Sequence, residues 1–268
     1  MIDLHCHMLP GLDDGAADLD VSLEMARIAV ADGISTVVCT PHILPTVYDN
    51  KGPAIRAAVD QLQAALAQAE IPLRVLPGAD VHIAPDLVEG LRCGRVLSIA
   101  DTRYLLLEPP HHVMPPRLRD CVFGLMTAGY FPILTHPERL TWIDRHYDVI
   151  KELARVGMLM QITAGSLTGR FGGRPRHWSQ RMLDEGLVDI LATDAHDPKG
   201  RPPRLSEARQ LVAERCGDEE SRRMVLDRPQ AILDNLDPSE LLRRAPREEL
   251  AASRPGLWQR ALELVRKH

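Results

Sequence analysis

The sequence of 268 residues has few aromatic residues and little net charge, and each shortage excludes a class of protein. Aromatic residues make up 4% of the chain, and 32 basic against 37 acidic residues give a formal net charge of −5. A chain without a basic excess is not expected to bind nucleic acid. No apolar run reaches the roughly 18 residues of a membrane span, and the first residues lack the features of a secretory signal. We therefore expect a cytoplasmic protein that does not insert into a membrane.

Cysteine is also scarce, and its pattern excludes a disulfide framework. The five cysteines are Cys6, Cys39, Cys93, Cys121 and Cys216. An odd number without a C-x2-C pair is typical of free thiols in a reducing compartment. The C-x5-R spacing of a cysteine phosphatase occurs only at Cys216 and Arg222. Three acidic residues between them would repel a phosphate dianion, so we interpret this spacing as chance.

Apolar runs alternate with amphipathic segments over residues 1–236, which is the pattern of βα units. The runs predict seven strands at Ile2–Leu4, Ser35–Cys39, Leu73–Leu76, Tyr104–Leu107, Pro132–Leu134, Met158–Ile162 and Asp189–Ala192. The amphipathic segments predict helices at Leu19–Ala31, Pro53–Ala69, Pro116–Ala128, Tyr147–Val156, Pro175–Asp184 and Leu205–Arg215. Continuously apolar strands indicate a parallel sheet that is covered by helices. We therefore predict one α/β domain over residues 1–236.

The C-terminal segment differs from this domain in composition. Residues 237–268 follow the last predicted βα unit and are rich in arginine and glutamate. We expect a helical extension that packs on or near the domain. A contact with a partner or with a second copy in a homo-oligomer is the alternative.

Histidine is frequent relative to the aromatic residues, with 11 copies against 3 Phe, 4 Tyr and 3 Trp. Six of the seven predicted strands end in a histidine or an acidic residue, and these ends meet at one face of a closed parallel barrel. The residues are His5, His7, His42, Asp80, Glu108, His136, Asp194 and His196. Asp14 adds a carboxylate on the loop after strand one. Strand six offers Gln161 but no metal-type ligand.

The spacing of these residues favours metal binding. Residues two apart in extended backbone point the same way, so His5-x-His7 and Asp194-x-His196 each direct two ligands to one point. One zinc site needs about four ligands, and nine candidates therefore predict two or three ions that share carboxylates. Imidazole and carboxylate suit zinc, manganese and iron. The remaining histidines are expected to be surface or core residues; they are His82, His111, His112, His146, His177 and His268.

The ordered motifs resemble the PHP (polymerase and histidinol phosphatase) superfamily. They are His5-Cys6-His7, Asp13-Asp14-Gly15, Thr40-Pro41-His42, Glu108, His136-Pro137-Glu138-Arg139 and Asp194-Ala195-His196. The opening Met1-Ile2-Asp3-Leu4-His5 and the late Gly200-Arg201-Pro202-Pro203 are most similar to its bacterial protein-tyrosine phosphatases of capsular and exopolysaccharide synthesis. The likeness covers roughly residues 1–236.

This resemblance implies a distorted seven-stranded (β/α) barrel with a trinuclear metal site, often of manganese or iron, at the carboxyl ends of the strands. It also implies hydrolysis of phosphotyrosine on a bacterial tyrosine autokinase. We expect metal-bound hydroxide to attack phosphorus while Arg139 and Arg201 hold the phosphate. His42 or His196, if not fully ligated, would protonate the leaving oxygen. One departure is Asp80, which stands where this group usually has glutamate.

Three other functions stay open at this point. A small-molecule phosphatase of the histidinol-phosphate type would use the same ligands. A metal-dependent esterase or amidohydrolase is disfavoured by the paired arginines, because a neutral ester needs no clamp for a dianion. A non-catalytic module that binds a kinase tail and uses metal only for folding is disfavoured by nine ligands, because a structural site uses about four.

Overall fold

The structure is a computed structural model that describes residues 1–241. Its strands are β1 (Ile2–Cys6), β2 (Thr36–Cys39), β3 (His42–Ile43), β4 (Arg74–Pro77), β5 (Asp80–His82), β6 (Tyr104–Glu108), β7 (Phe131–Thr135), β8 (Leu159–Thr163) and β9 (Ile190–Ala192). Its α-helices are α1 (Leu19–Ala31), α2 (Gly52–Gln68), α3 (Leu87–Arg92), α4 (Leu118–Thr127), α5 (Ile143–Arg155), α6 (Ala164–Leu167), α7 (Gly173–Asp184), α8 (Ser206–Cys216), α9 (Asp218–Arg222), α10 (Arg228–Leu233) and α11 (Pro238–Leu241). Among residues 1–241, no helix is long and apolar enough to cross a membrane.

Of the predicted extension over residues 237–268, only α11 belongs to the described part, and residues 242–268 lie outside it. The prediction for that segment therefore stays a prediction. A π-helical turn at Arg223–Asp227 joins α9 to α10, so the chain is continuously helical from Asp218 to Leu233.

The strands form two parallel sheets, which confirms the predicted α/β class. One sheet has the order β1-β2-β4 and the other has the order β3-β5-β6-β7-β8-β9. All seven predicted strands are present, but the second and third are each followed at once by a short strand, β3 or β5, that belongs to the other sheet. The first and last strands also meet. The backbone N–H of His7 donates to the carbonyl of Ala195 at 2.8 Å, and that of Asp194 donates to His5 at 2.8 Å.

Alternate residues of the strands face two different cores. Tyr104 and Leu106 of β6 pack in an inner core with Ile133 of β7. Leu105 and Leu107 pack in an outer core under the helices. Because the side-chain direction repeats every second residue, the next inward residue of β6 is Glu108. The polar residues thus begin where the inner core ends, at the carboxyl ends of the strands.

The start of α1 agrees with the prediction and is marked by a capping residue. The side chain of Asp18 accepts the backbone N–H of Val21 at 2.9 Å, and α1 begins at the predicted Leu19. The start of α5 was predicted too late, at Tyr147 instead of Ile143. His146 has a non-helical φ of −130° inside α5, so the apolar period of the first turn is out of phase with the rest.

Candidate metal centre

All nine side chains that the sequence predicts as metal ligands converge at the carboxyl ends of the strands. Their donor atoms belong to five overlapping groups, and within each group the atoms lie within 4.8 Å of one another. The groups are His7, Asp14, His42 and His196; His5, His7 and Asp80; His5, His136 and Asp194; His42, His82 and Glu108; and Glu108, His111 and His136. Several residues belong to two groups, as expected for neighbouring ions that share ligands. A single ion would leave most of these donors unused.

His5 and His7 are each oriented by a hydrogen bond at Nδ1. The Nδ1 of His5 lies 2.8 Å from Oε1 of Gln161, and the Nδ1 of His7 lies 2.7 Å from Oδ2 of Asp13. Both Nδ1 atoms donate, so each Nε2 is left facing the cluster. The two Nε2 atoms are 3.1 Å apart. Outer hydrogen bonds of this kind fix the tautomer of metal-binding histidines.

The protonation of this pair shows how much charge it accommodates. Burial lowers the pKa of His5 to about 3, so His5 stays neutral. Burial acts in the same direction on His7, but contacts with Asp13 and Asp194 outweigh it and raise the pKa of His7 to about 9. The two rings thus hold one positive charge between them. A metal ion that binds there must displace a proton, and its affinity falls as the pH falls.

Asp80 is a buried carboxylate that lacks hydrogen-bond donors. The residue is fully buried, and neither of its side-chain oxygens has a hydrogen-bond partner. Its Oδ2 lies 3.5 Å from Nε2 of His5 and 3.5 Å from Nδ1 of His42. Burial raises the pKa of Asp80 well above its usual value, and the charge of Glu108 adds to this shift. A carboxylate in such surroundings is costly unless a cation neutralises it, so Asp80 fits a metal centre.

Asp194 connects the histidine cluster to the two predicted phosphate-binding arginines. Its Oδ1 lies 3.4 Å from Nε2 of His5 and 3.4 Å from Nε2 of His7. Its Oδ2 accepts hydrogen bonds from Arg139 and, at 2.7 Å, from Nη2 of Arg201. One carboxylate therefore faces the donors with one oxygen and fixes both guanidinium groups with the other. This arrangement places two cations at the edge of the cluster.

Two of the predicted ligands have left-handed backbone conformations that are uncommon outside glycine. The φ angle is +32° at His136 and +50° at Asp194. Such conformations cost about 1–3 kcal/mol each and cluster at functional sites. His136 begins the turn that carries Arg139, and Asp194 begins the loop that carries Arg201. The strained residues thus turn the chain where strands β7 and β9 end.

The ring of Phe171 lies against both arginines. The guanidinium carbon of Arg139 is 4.8 Å from the ring centroid, and that of Arg201 is 5.7 Å away. Gly165 makes room for the ring, because a Cβ at this position would lie 2.9 Å from Cε2 of Phe171. Cation–π contacts of this kind contribute about 0.5–2 kcal/mol each. Phe171 therefore holds the two guanidinium groups side by side.

Several residues that contact the predicted ligands or arginines were not predicted from the sequence. His82 and His111 were expected to be surface or core histidines, but their Nε2 atoms lie 2.6 and 3.0 Å from the carboxylate of Glu108. The signal for His82 was present, because Asp80-x-His82 repeats the spacing of Asp194-x-His196. His111 and Phe171 lie on loops, where no strand period directs a side chain.

Parallel sheets with a cluster of histidine and carboxylate donors at the ends of their strands define a metal-binding α/β protein. Residues 1–234 match the family described as capsular polysaccharide synthesis, CpsB/CapC, and the chain belongs to this family. It is 40% identical to the tyrosine-protein phosphatase YwqE of Bacillus subtilis over 219 residues, which are 82% of this chain and 86% of the relative. It is 24% identical to the tyrosine-protein phosphatase CpsB of Streptococcus pneumoniae over 238 residues, which are 87% and 98% of the two chains. The predicted family is thereby confirmed.

Solved structures agree with this assignment. A chain from the crystal structures of YwqE and CpsB, described as unique metal-dependent tyrosine phosphatases, matches with a TM-score of 0.85 and 38% identity over 88% of this chain and 96% of that one. An organophosphorus hydrolase from Deinococcus radiodurans matches with a TM-score of 0.54 and 16% identity over 87% and 92% of the two chains. The second likeness concerns the fold alone.

Proposed function

We propose that the protein is a metal-dependent tyrosine phosphatase that acts on the tail of a bacterial tyrosine autokinase in capsular or exopolysaccharide synthesis. The observation that carries this proposal is Asp194, which joins Arg139 and Arg201 to the cluster of buried histidines. A pair of arginines beside a metal centre suits a phosphate dianion. The family and its named tyrosine phosphatases support the same chemistry.

Nine residues would hold two or three divalent ions. They are His5, His7, Asp14, His42, Asp80, Glu108, His136, Asp194 and His196. Nitrogen and oxygen donors without thiolate suit manganese or iron, and also zinc. Bound ions supply positive charge to the phosphoryl oxygens and lower the pKa of an attacking water. The buried oxygens of Asp80, which have no hydrogen-bond partner, and the fixed tautomers of His5 and His7 support this assignment.

Arg139 and Arg201 would hold the phosphoryl group during in-line displacement. Each guanidinium uses one nitrogen on Asp194 and keeps other N–H groups for phosphate oxygens. Their charge offsets the negative charge on the equatorial oxygens in the transition state. Water attacks directly in this scheme, and no covalent phosphoenzyme forms. Cys6 is fully buried and burial raises its thiol pKa, so it is unsuited to act as a nucleophile.

The leaving tyrosyl oxygen needs little help, because the pKa of tyrosine in water is about 10. His42 and His196 are the two candidate proton donors. The side chain of His42 is 14% exposed and that of His196 is 6% exposed, so His42 is the easier of the two to reach from solvent. The ring of Tyr48 stacks on His42 with a centroid distance of 5.6 Å. Whichever of the two is not ligated to a metal and is protonated would deliver the proton.

We also propose that the two sheets act as one distorted seven-stranded barrel, with β1 beside β9. The five cysteines are all free, which agrees with a cytoplasmic location.

A groove of about 550 Å³ lies between the segments that follow β5 and β6. Ile83, Pro85, Leu87 and Pro115 line part of it. A groove lined mainly by apolar residues, with Arg117 and Asp120 also in its lining, begins one residue after His82 and favours a polypeptide substrate over a small metabolite.

A comparison of substrates tests this function. We expect the manganese-loaded protein to hydrolyse a phosphotyrosine peptide with a kcat/KM about 100-fold higher than that for histidinol phosphate, because the two leaving groups make different contacts. The measurement is phosphate release at several concentrations of each substrate. A preference for histidinol phosphate would indicate a small-molecule phosphatase. Peptide binding without any release would indicate a binding module.

Replacing Phe171 by leucine is expected to raise the KM for a phosphotyrosine peptide about three- to tenfold, with a smaller change in kcat. The substitution removes the cation–π contacts that hold both arginines, which are worth about 0.5–2 kcal/mol. Steady-state kinetics measure the effect. Phe131→Leu is the matched control. The ring of Phe131 also lies 4.8 Å from a guanidinium carbon, that of Arg103, but Phe131 is at the start of β7, away from the metal centre at the carboxyl ends of the strands. Equal KM values for Phe171→Leu and the wild type would contradict the positioning role.

A further inference from the structure

His82 lies outside the nine predicted ligands, yet the sheet places it against Glu108. Strands β5 and β6 pair with His82 opposite Glu108. The Nε2 of His82 lies 2.6 Å from Oε2 of Glu108. His42 reaches the same oxygen from β3, with its Nδ1 at 3.3 Å. Three potential donors from three neighbouring strands therefore surround one point.

The side chain also has the direction and burial of a metal ligand. Asp80 and His82 are two residues apart on β5, so both side chains project from the same face. The side chain of His82 is 15% exposed and that of Glu108 is 5% exposed. Both oxygens of the neighbouring Asp80 are buried without a hydrogen-bond partner. This side of the cluster thus carries two carboxylates and needs positive charge.

We infer that His82 is a tenth metal ligand, which completes a site with His42 and Glu108. The inference rests on the proposed metal centre and extends it by one donor. Three protein ligands with further positions open are typical of a catalytic metal site, whereas structural sites use about four. The ion held there would lie at the end of the centre that adjoins the groove beginning at Ile83.

The other role that this geometry permits is a hydrogen-bond donor that orients Glu108. Two variants of similar size separate the roles. His82→Gln keeps an N–H donor but removes the imidazole ligand. His82→Glu keeps an anionic ligand but cannot donate, and it repels Glu108 unless a cation lies between them. A ligand role predicts that the Glu variant keeps the metal and the Gln variant loses it. A donor role predicts the reverse order.

The experiment is equilibrium dialysis of the full-length, metal-stripped protein against a series of manganese concentrations, with bound manganese counted per chain. His82→Gln is expected to weaken one class of bound ion about tenfold or more. His82→Glu is expected to stay within about threefold of the wild type. His112→Gln, an exposed histidine on the segment after β6, is the control and should bind like the wild type. Thermal unfolding of each variant shows whether it is folded.

A crystal structure of the manganese-loaded wild type gives a result that does not depend on the stability of any variant. We expect an ion about 2.1 Å from Nε2 of His82. Wild-type binding by His82→Gln, weaker binding by His82→Glu than by His82→Gln, or the lack of an ion at Nε2 would overturn the inference and leave the proposed function intact. A wild-type protein that binds no manganese, iron or zinc would overturn both.

Discussion

Replacing Asp194 by asparagine is expected to lower kcat/KM for a phosphotyrosine peptide about a thousandfold. Asparagine keeps the size of the side chain but removes the charge that Oδ1 offers to His5 and His7 and that Oδ2 offers to the arginines. Loss of a single preorganised electrostatic contact at a transition state costs about 10²–10³ in rate. Asp194 serves both the metal centre and the arginine pair, so we expect the upper end of that range.

Asp101→Asn is the control for this substitution. Asp101 also has a left-handed backbone, with a φ of +62°, and it pairs with Arg56 on the surface. Both variants therefore change an aspartate that has a left-handed backbone conformation and an arginine partner. Asp101→Asn should keep kcat/KM within about twofold, because exposed ion pairs contribute little. A change of less than about tenfold in Asp194→Asn, with metal content preserved, would contradict the role assigned to this carboxylate.

Replacing Arg139 or Arg201 by alanine is expected to lower kcat/KM about 10²–10³-fold in each case. Each substitution removes one cation from the phosphate clamp and one hydrogen bond from Asp194. The double variant should lose less than the product of the single losses, because both side chains act on the same oxygen of Asp194 and on one phosphate. Lysine should restore little at either position, because it lacks the planar fork that binds two oxygens.

The inhibition constant of inorganic phosphate, a competitive inhibitor, measures phosphate binding by the two arginines independently of the chemical step. Both alanine variants should bind phosphate more weakly than the wild type. Arg103→Ala is the control, because the guanidinium of Arg103 also lies over an aromatic ring, that of Phe131, and donates hydrogen bonds to Asn235. It should leave kinetics and phosphate inhibition unchanged. If Arg139→Ala and Arg201→Ala both kept the wild-type kcat and KM, the proposed phosphate-binding role of the two arginines would be contradicted.

The sequence predicted the strands well because each is a continuous apolar run that ends in polar residues. It did not predict that the second and third runs would each continue into a short strand of the other sheet. That division depends on close packing, since a Cβ at Gly78 would lie 2.6 Å from the side chain of Val38. Hydrophobic periodicity along one segment carries no information about such an approach between strands.

The candidate ligands were found because parallel strands bring their carboxyl ends to one face, so position along each strand was enough. The residues around them were harder to predict. Gln161 of β8 hydrogen-bonds to His5, which is distant in sequence, and Asp13 hydrogen-bonds to His7 from the irregular segment between β1 and α1. His111 reaches Glu108 and Phe171 reaches both arginines from irregular segments. Only the tertiary fold determines where such side chains point.

We expect metal-dependent hydrolysis of phosphotyrosine to occur at this cluster. The most direct test is phosphate release from a phosphotyrosine peptide by metal-stripped protein, with manganese, iron, zinc and magnesium added back separately. Iodoacetamide, which alkylates a reactive cysteine, is included in parallel reactions. We predict that release is lost on stripping, is restored by at least one of the first three metals and is affected little by iodoacetamide. Release by the stripped protein, or no release with any metal from folded protein, would contradict the account.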